Sequence, residues 1–307
     1  TNRIINAISG RSRRHLDSRW KNIISRKTNS SSSAPAKYIL LNDTAILASN
    51  VHSGCSSVIG LIHAELQSTG LTCLASVNSV GEIEDKIYSL EDVALVIMNG
   101  EGSVHHDNSR IAGLMDFAKL AKDAGIPTAL INSVWQHNSS VMAKYLQYFD
   151  IVTVRERRSF DAIKSWHNEV RVVPDLSIKA FSKSVTARSS DWQADQNKCP
   201  YVVVDSTKSG ITKKLRKFAR AQSAPMYFMG YKHWRLLEAS EKLIKAGSGY
   251  VPKLLEDIND LELAKACLTG RFHGAVAGLC AGIPVFALSS NTHKTESMLE
   301  DIGIVDV

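Results

Sequence analysis

The sequence predicts an α/β protein made of two Rossmann-like domains, and three observations predict it. From Lys37 onward short continuous apolar runs alternate with amphipathic stretches, the pattern of parallel strands buried on both faces by helices. The alternation lapses in a polar stretch at residues 182–198 and then restarts. The chain has 307 residues, enough for about two domains. Its 44% apolar and 22% charged content is that of a globular protein, not a disordered or fibrous one. The expected organisation is a tail and linker at residues 1–35, a first domain at 36–185 and a second at 186–307.

Each element follows from its residues. Residues 38–41 (Tyr-Ile-Leu-Leu) read as the first strand, and 56–68 as a helix. Residues 72–77 are a strand and 80–90 a helix. The run Val-Ala-Leu-Val-Ile-Met at 93–98 is a buried strand that ends at Asn99-Gly100. Residues 109–125 are a helix, because Ile111, Leu114, Met115, Phe117, Ala118 and Ala121 gather largely on one side. Further strands are expected at 127–131, 151–154 and 170–173. In the second half, strands are expected at 201–204, 226–229, 267–269 and 284–288. Helices fit at 211–222 (a basic one), 232–246, 256–266, 274–281 and 294–302.

The net charge of +7 is unevenly placed. Residues 1–27 hold Arg3, Arg11, Arg13, Arg14, Arg19, Lys21, Arg26 and Lys27 against one acid, Asp17, so the rest of the chain is neutral overall. Nucleic-acid binding by the body is therefore not expected. In the tail Ile5, Ile8, Leu16, Trp20, Ile23 and Ile24 recur near helical spacing. That suits a basic amphipathic helix lying on an anionic membrane surface, one docked on the body, or one belonging with a further domain upstream. Residues 29–35 have the composition of a flexible linker. No apolar run reaches the ~20 residues of a membrane span, and no secretory signal is expected. The five cysteines form no C-x-x-C pair, so a disulfide scaffold or cysteine zinc site is not expected and a reducing compartment is.

Ligands of such folds bind at strand carboxyl ends, and in paired folds between domains. The polar residues there are the candidates. After the 93–98 strand come Gly100, Glu101, Gly102, His105, His106 and Asp107, where glycines allow close backbone approach. The H-H-D run has no recognised ligand spacing, so no metal is expected. Later strand ends supply Asn132, then Arg155, suited to a phosphate or carboxylate. Asp175 can accept a hydroxyl proton or cap a turn. In the second half Arg271 and His273 open a helix between glycines. Ser290, Asn291, His293 and Lys294 follow the last strand. Asp205 can touch a ligand or form a turn.

These residues carry a resemblance. The segment R-F-H-G-A-V-A-G-L-C-A-G-I-P-V at 271–285 resembles the C-terminal signature of the polysaccharide pyruvyltransferase superfamily, where an Arg-x-His turn opens a helix leading to a G-x-P-V strand. N-G-E-G-S-V-H-H-D at 99–107 resembles the family's Gly-rich turn, V-R-E-R-R-S its Arg-acid-x-x-Ser segment, and V-P-D-L its Pro/Asp strand end. The likeness spans about residues 38–305. His105-His106, and Asn42-Asp43 with His52-Ser53-Gly54-Cys55, depart from the family pattern.

The resemblance implies a fold similar to the two-domain (GT-B-like) glycosyltransferases. It implies pyruvyl transfer from phosphoenolpyruvate to a sugar, making a ketal in bacterial-type surface polysaccharide biosynthesis. Arg271 and His273 would then bind or protonate the donor and Arg155 would help hold it, with Asp175, Glu101 or His106 as base. Gly100, Gly102, His105, Asn132, Ser290, Asn291, His293 and Lys294 would complete the substrate site. No cofactor or metal is implied. The partner is a saccharide or lipid-linked saccharide acceptor, and the place cytoplasmic, peripheral at the inner membrane face. Two other functions fit the same candidates. One is a glycosyltransferase using a nucleotide-activated 2-keto acid sugar such as CMP-Kdo or CMP-sialic acid. The other is a non-catalytic glycan-binding domain.

Overall fold

The computed structural model describes residues 35–45, 53–182, 200–230, 252–255, 260–261 and 264–304. The expected basic tail, most of the linker, His52, the boundary segment at 183–199, the helix at 232–246 and most of that at 256–266 lie outside the described residues. No described helix is long and apolar enough to cross a membrane.

The first half contains strands β1 (Lys37–Leu41), β2 (Thr72–Val77), β3 (Val93–Glu101), β4 (Thr128–Ser133), β5 (Ile151–Val154) and β6 (Val170–Val172). They form one parallel sheet in the order β2-β1-β3-β4-β5-β6. Helices α1 (Ser53–Ser68), α2 (Val80–Lys86), α3 (Ser109–Asp123), α4 (Ser140–Ala143), α5 (Arg157–Ile163) and α6 (Leu176–Ser182) connect or follow these strands. The second half contains β7 (Val202–Ser206), β8 (Met226–Phe228), β9 (Pro252–Leu254), β10 (Cys267–Gly270) and β11 (Val285–Ala287). These are also parallel, in the order β11-β10-β7-β8-β9. Their described helices are α7 (Ser209–Ala221), α8 (Phe272–Cys280) and α9 (Lys294–Asp301).

Alternation along the strands explains both sheets. In β1, Ile39 and Leu41 join the core that includes Leu114 and Phe117 of α3, while Tyr38 and Leu40 join Val58, Ile59 and Ile62 of α1. In β7, Val202 and Val204 face the α8 side and Val203 faces Leu215 of α7. Both faces are covered, so Tyr38–Leu41 and Val202–Val204 are apolar without interruption.

Some boundaries differ from the sequence reading. Helix α2 ends at Lys86 rather than at residue 90, because Ile87 turns extended (φ −113°, ψ 106°). Ile87 and Leu90 are nonetheless buried, so the apolar pattern continues past the helix. Strand β3 runs on to Glu101, and α8 begins at Phe272, two residues before the expected start.

Strand order reverses between β1 and β3 in one sheet and between β7 and β10 in the other. Such switch points open a crevice at the carboxyl ends. At each, a glycine packs on a neighbouring serine. A Cβ on Gly100 would lie 2.5 Å from Ser133 Cβ, and one on Gly270 would lie 2.4 Å from Ser206 Cβ. The two halves also meet through α5 and α9. His293 Nε2 lies 3.2 Å from Glu156 Oε1, Arg158 Nε donates to Glu300 Oε2 at 3.0 Å, and the Arg157 amide donates to Asp301 at 2.8 Å.

Gly100→Ala should therefore destabilise the fold by about 1–3 kcal/mol through overpacking. Gly60→Ala, on the exposed side of α1 with no neighbour within 4 Å, should stabilise by about 0.5–1 kcal/mol. Chemical denaturation of both variants checks the contrast, and equal effects would contradict the packing argument.

Candidate active site

The two switch points face one cleft of about 330 Å³. The first half contributes Thr44, Cys55, Glu101, Gly102, Ser103, Arg110 and Arg155, and the second contributes Thr207, Gly230, Arg271, Phe272, His273, Ser290 and Lys294.

Two arginines are set by buried carboxylates. Arg271, at the start of α8, gives Nε to Asp205 Oδ1 (3.1 Å) and Nη2 to Asp205 Oδ2 (2.6 Å), a bidentate clamp. Arg155, at the end of β5, donates Nη1 to Asp175 Oδ2 and lies over the Phe272 ring, 4.3 Å from its centroid. Its buried Nε has no hydrogen-bond partner among the described residues. Burial alone would raise the Asp175 pKa, but the Arg155 charge and the hydrogen bonds from Ser177 outweigh it, so the carboxylate is held below its usual range.

Glu101 turns into the cleft at φ 42°. It accepts from the Thr44 hydroxyl (2.5 Å), the Cys55 thiol (2.9 Å) and Asn99 Nδ2 (3.3 Å). Burial and the neighbouring Glu101 push the Cys55 thiol well up, which keeps its proton on. His273 Nε2 lies 4.0 Å from Glu101 Oε1 and 3.9 Å from Asp175 Oδ1. Burial lowers the His273 pKa against the pull of those acids, so the ring is neutral at neutral pH. The ring rests on Gly54, where a Cβ would be 2.4 Å from it.

Lys294 opens α9 with only 8% of its surface exposed. Its Nζ donates to Asn291 Oδ1 (2.9 Å), and a Cβ on Gly102 would meet it at 2.9 Å. Burial, then the nearby Arg155 charge, lowers its pKa to about 8. Arg110 completes the cationic set. Its Nη1 donates to Asn42 Oδ1 (2.8 Å) and to the carbonyl of Asn78 (2.8 Å).

Of the residues singled out from sequence, Glu101, Gly102, Arg155, Arg271, His273, Ser290 and Lys294 line the cleft. Asp175 stands behind Arg155 and His273. Gly100 and Asn132 brace the strand ends, with Asn132 donating to Asn99 Oδ1 (3.3 Å) and accepting from the Leu176 amide (3.2 Å). Asn291 and His293 border a shallower depression beside the cleft. His293 instead helps hold Glu156, whose carboxylate stays below its usual range despite burial, through bonds from His293 and Ser159. His105 and His106 are outside the cleft lining. Their Nδ1 atoms are 2.9 Å apart, and His106 is exposed. Arg110 was hidden in an ordinary helix pattern. Its one sequence signal is a cation in a first helical turn, where the helix dipole disfavours it.

Cys55, Glu101 and His273 bring a thiol, a carboxylate oxygen and an imidazole nitrogen within 4.8 Å of one another, a set able to take a divalent ion. Lys294 and Arg155 stand beside the group and oppose a further positive charge.

Fold and site together define a two-domain α/β protein with a cleft between its sheets lined by Arg110, Arg155, Arg271 and Lys294. The sequence matches the family model for polysaccharide pyruvyl transferase over residues 5–292, and the chain belongs to that family. It is thus a transferase of polysaccharide biosynthesis, acting on a saccharide acceptor. No curated protein matches it. Among solved structures it is similar to an uncharacterised protein from Klebsiella pneumoniae, with TM-score 0.51 and 15% identity over 89% of this chain and 90% of that one. It is also similar to UDP-GlcNAc 2-epimerase of Methanocaldococcus jannaschii, solved with UDP-GlcNAc and UDP. There the TM-score is 0.54 and the identity 12%, over 88% of this chain and 87% of that one. At these identities the likeness is one of fold.

Gly54→Ala should displace the His273 ring while leaving the sheets intact. The expected result is a loss of turnover with an unchanged far-ultraviolet circular dichroism spectrum. Full activity in this variant would show that the ring position is not critical.

Proposed function

We propose that the chain transfers the pyruvyl group of phosphoenolpyruvate to two hydroxyls of a saccharide, forming a ketal and releasing phosphate. The observation that supports this most is the convergence of Arg110, Arg155, Arg271 and Lys294 on one cleft. The donor carries a phosphate and a carboxylate on the same central carbon, and both need cations within a small space. A volume of about 330 Å³ is at the small end for ligand sites and suits this donor better than a nucleotide-activated sugar.

In this reading the arginines hold the anions, pre-set by Asp175 and Asp205, which act as positioning residues. Lys294 protonates the methylene carbon, since an ammonium with a pKa of about 8 is charged at neutral pH yet more acidic than an ordinary lysine. Neutral His273 takes the proton of the first acceptor hydroxyl as its oxygen bonds to the central carbon. The carbon–oxygen bond to phosphate then breaks, and the second hydroxyl adds as its proton passes to Glu101. His106 takes no part. Metal is not required by any of these steps.

Two outcomes are expected, both with EDTA present. Arg271→Ala should weaken phosphoenolpyruvate binding by about 2–5 kcal/mol in calorimetric titration. His273→Ala should instead lower phosphate release by about 10²–10⁴-fold with donor affinity nearly kept. Binding of a cytidine sugar nucleotide in place of phosphoenolpyruvate, or parent kinetics in both variants, would overturn the reading. Lys294 also makes binding pH-linked. A bound trianion raises the lysine pKa, so binding just above pH 8 should take up a proton, and affinity should fall as pH rises further. Titration in buffers of different ionisation enthalpy measures the uptake, and Lys294→Arg should abolish it.

A further inference from the structure

We propose that the outer face of α7 docks on an anionic lipid bilayer. The helix carries Lys213, Lys214, Arg216, Lys217 and Arg220, with Lys208 just before it, and no acid occurs between Asp205 and Glu238. Leu215 and Ala219 are buried against the sheet, which fixes the inward face. Lys208, Lys213, Lys214 and Lys217 are exposed on the other side.

Six lysines elsewhere sit beside acids. Lys37 pairs with Asp92, Lys86 with Glu82, Lys119 with Asp123, Lys122 with Asp150, Lys164 with Asp161 and Lys179 with Glu65. Lys208 and the three exposed lysines of α7 make no ion pair among the described residues. Lys213 and Lys217 are four residues apart and Lys214 and Lys217 three, so like charges face each other along the helix at a cost to its stability. An arrangement that repels itself is relieved by a surface of opposite charge.

The shape of the patch favours a bilayer over a polymer. The lysines form a row on a convex helix, and four to eight bases on an amphipathic helix suit anionic headgroups. A nucleic acid or acidic glycan strand would call for a groove with presented aromatic rings. The nearest rings, Tyr201 and Phe218, pack against each other instead, with centroids 5.4 Å apart. Thr207, which lines the cleft, immediately precedes Lys208. A bilayer on this face therefore lies next to the cleft rim, whatever the donor is. The basic residues 1–27 form a second cationic segment in sequence.

The test uses the full chain and sedimentation with two kinds of vesicle, phosphatidylcholine alone and an equimolar mixture with phosphatidylglycerol. Binding is expected to the mixture alone and should weaken as salt is added. The triple variant Lys213→Gln, Lys214→Gln, Lys217→Gln should lower the partition coefficient by about 100-fold, with melting temperature and phosphoenolpyruvate affinity unchanged. The matching triple arginine variant should keep the binding. A glutamine variant that folds and still binds like the parent would refute the proposal. So would a full chain that binds both vesicles equally. Tighter binding to a DNA duplex, lost in the same variant, would refute it by assigning α7 to nucleic acid.

Discussion

Two guanidinium–carboxylate pairs, closed off from water at the carboxyl ends of the strands, govern the rest of this structure. Taking an ion out of water costs several kcal/mol even after relaxation, so such pairs persist only where geometry and further hydrogen bonds offset the loss. Both conditions hold. Asp205 receives two guanidinium nitrogens and the Met229 amide, and Asp175 receives Arg155 and the Ser177 amide. The reward is rigidity. An arginine normally samples many rotamers, but here the carboxylate fixes its plane before any substrate arrives, and fixed dipoles are what stabilise a developing charge well. The sheets supply the walls, and the strand ends supply these two charges at opposing faces of one cleft.

Charge also explains the packing at the cleft. Lys294 is drawn in among Arg155, Glu101 and Asn291, and this approach depends on the missing side chain of Gly102. His273 depends in the same way on Gly54. The glycines work by leaving room for a charged or basic tip, so the site is shaped as much by absent atoms as by present ones. Sequence places these glycines near the site but does not say which tip each one admits.

Ten of the eleven described strands were legible as short apolar runs, whereas β9 was missed because Pro252-Lys253-Leu254 is too short and too polar to stand out. The Arg271–His273 turn was legible because glycines bracket it just after a strand. What stayed hidden depends on backbone torsion or on distant partners. Glu101, His106 and Asp107 all adopt positive φ, at 42°, 55° and 51°. These residue types do not announce that conformation in the way glycine does. One loop therefore sends Glu101 inward and leaves His106 in solvent, although both looked equally suited to the site. Lys294 enters the cleft and donates to Asn291 beside it, while His293 between them turns to Glu156 across the junction. Asp205 read as a turn as readily as a ligand contact, since its partner Arg271 is sixty-six residues away.

The contacts between α5 and α9 bear on how the cleft admits its substrates. They are of two kinds. Glu156 with His293 is largely shielded from water, whereas Arg158 with Glu300 stands in it, each side chain more than two-fifths exposed. An exposed pair is weakened by dissolved ions within a Debye length, and a shielded one is much less affected. Ionic strength therefore acts on one fastening and spares the other. Concentrated electrolyte loosens the outer fastening between α5 and α9, while the inner one keeps the two halves joined.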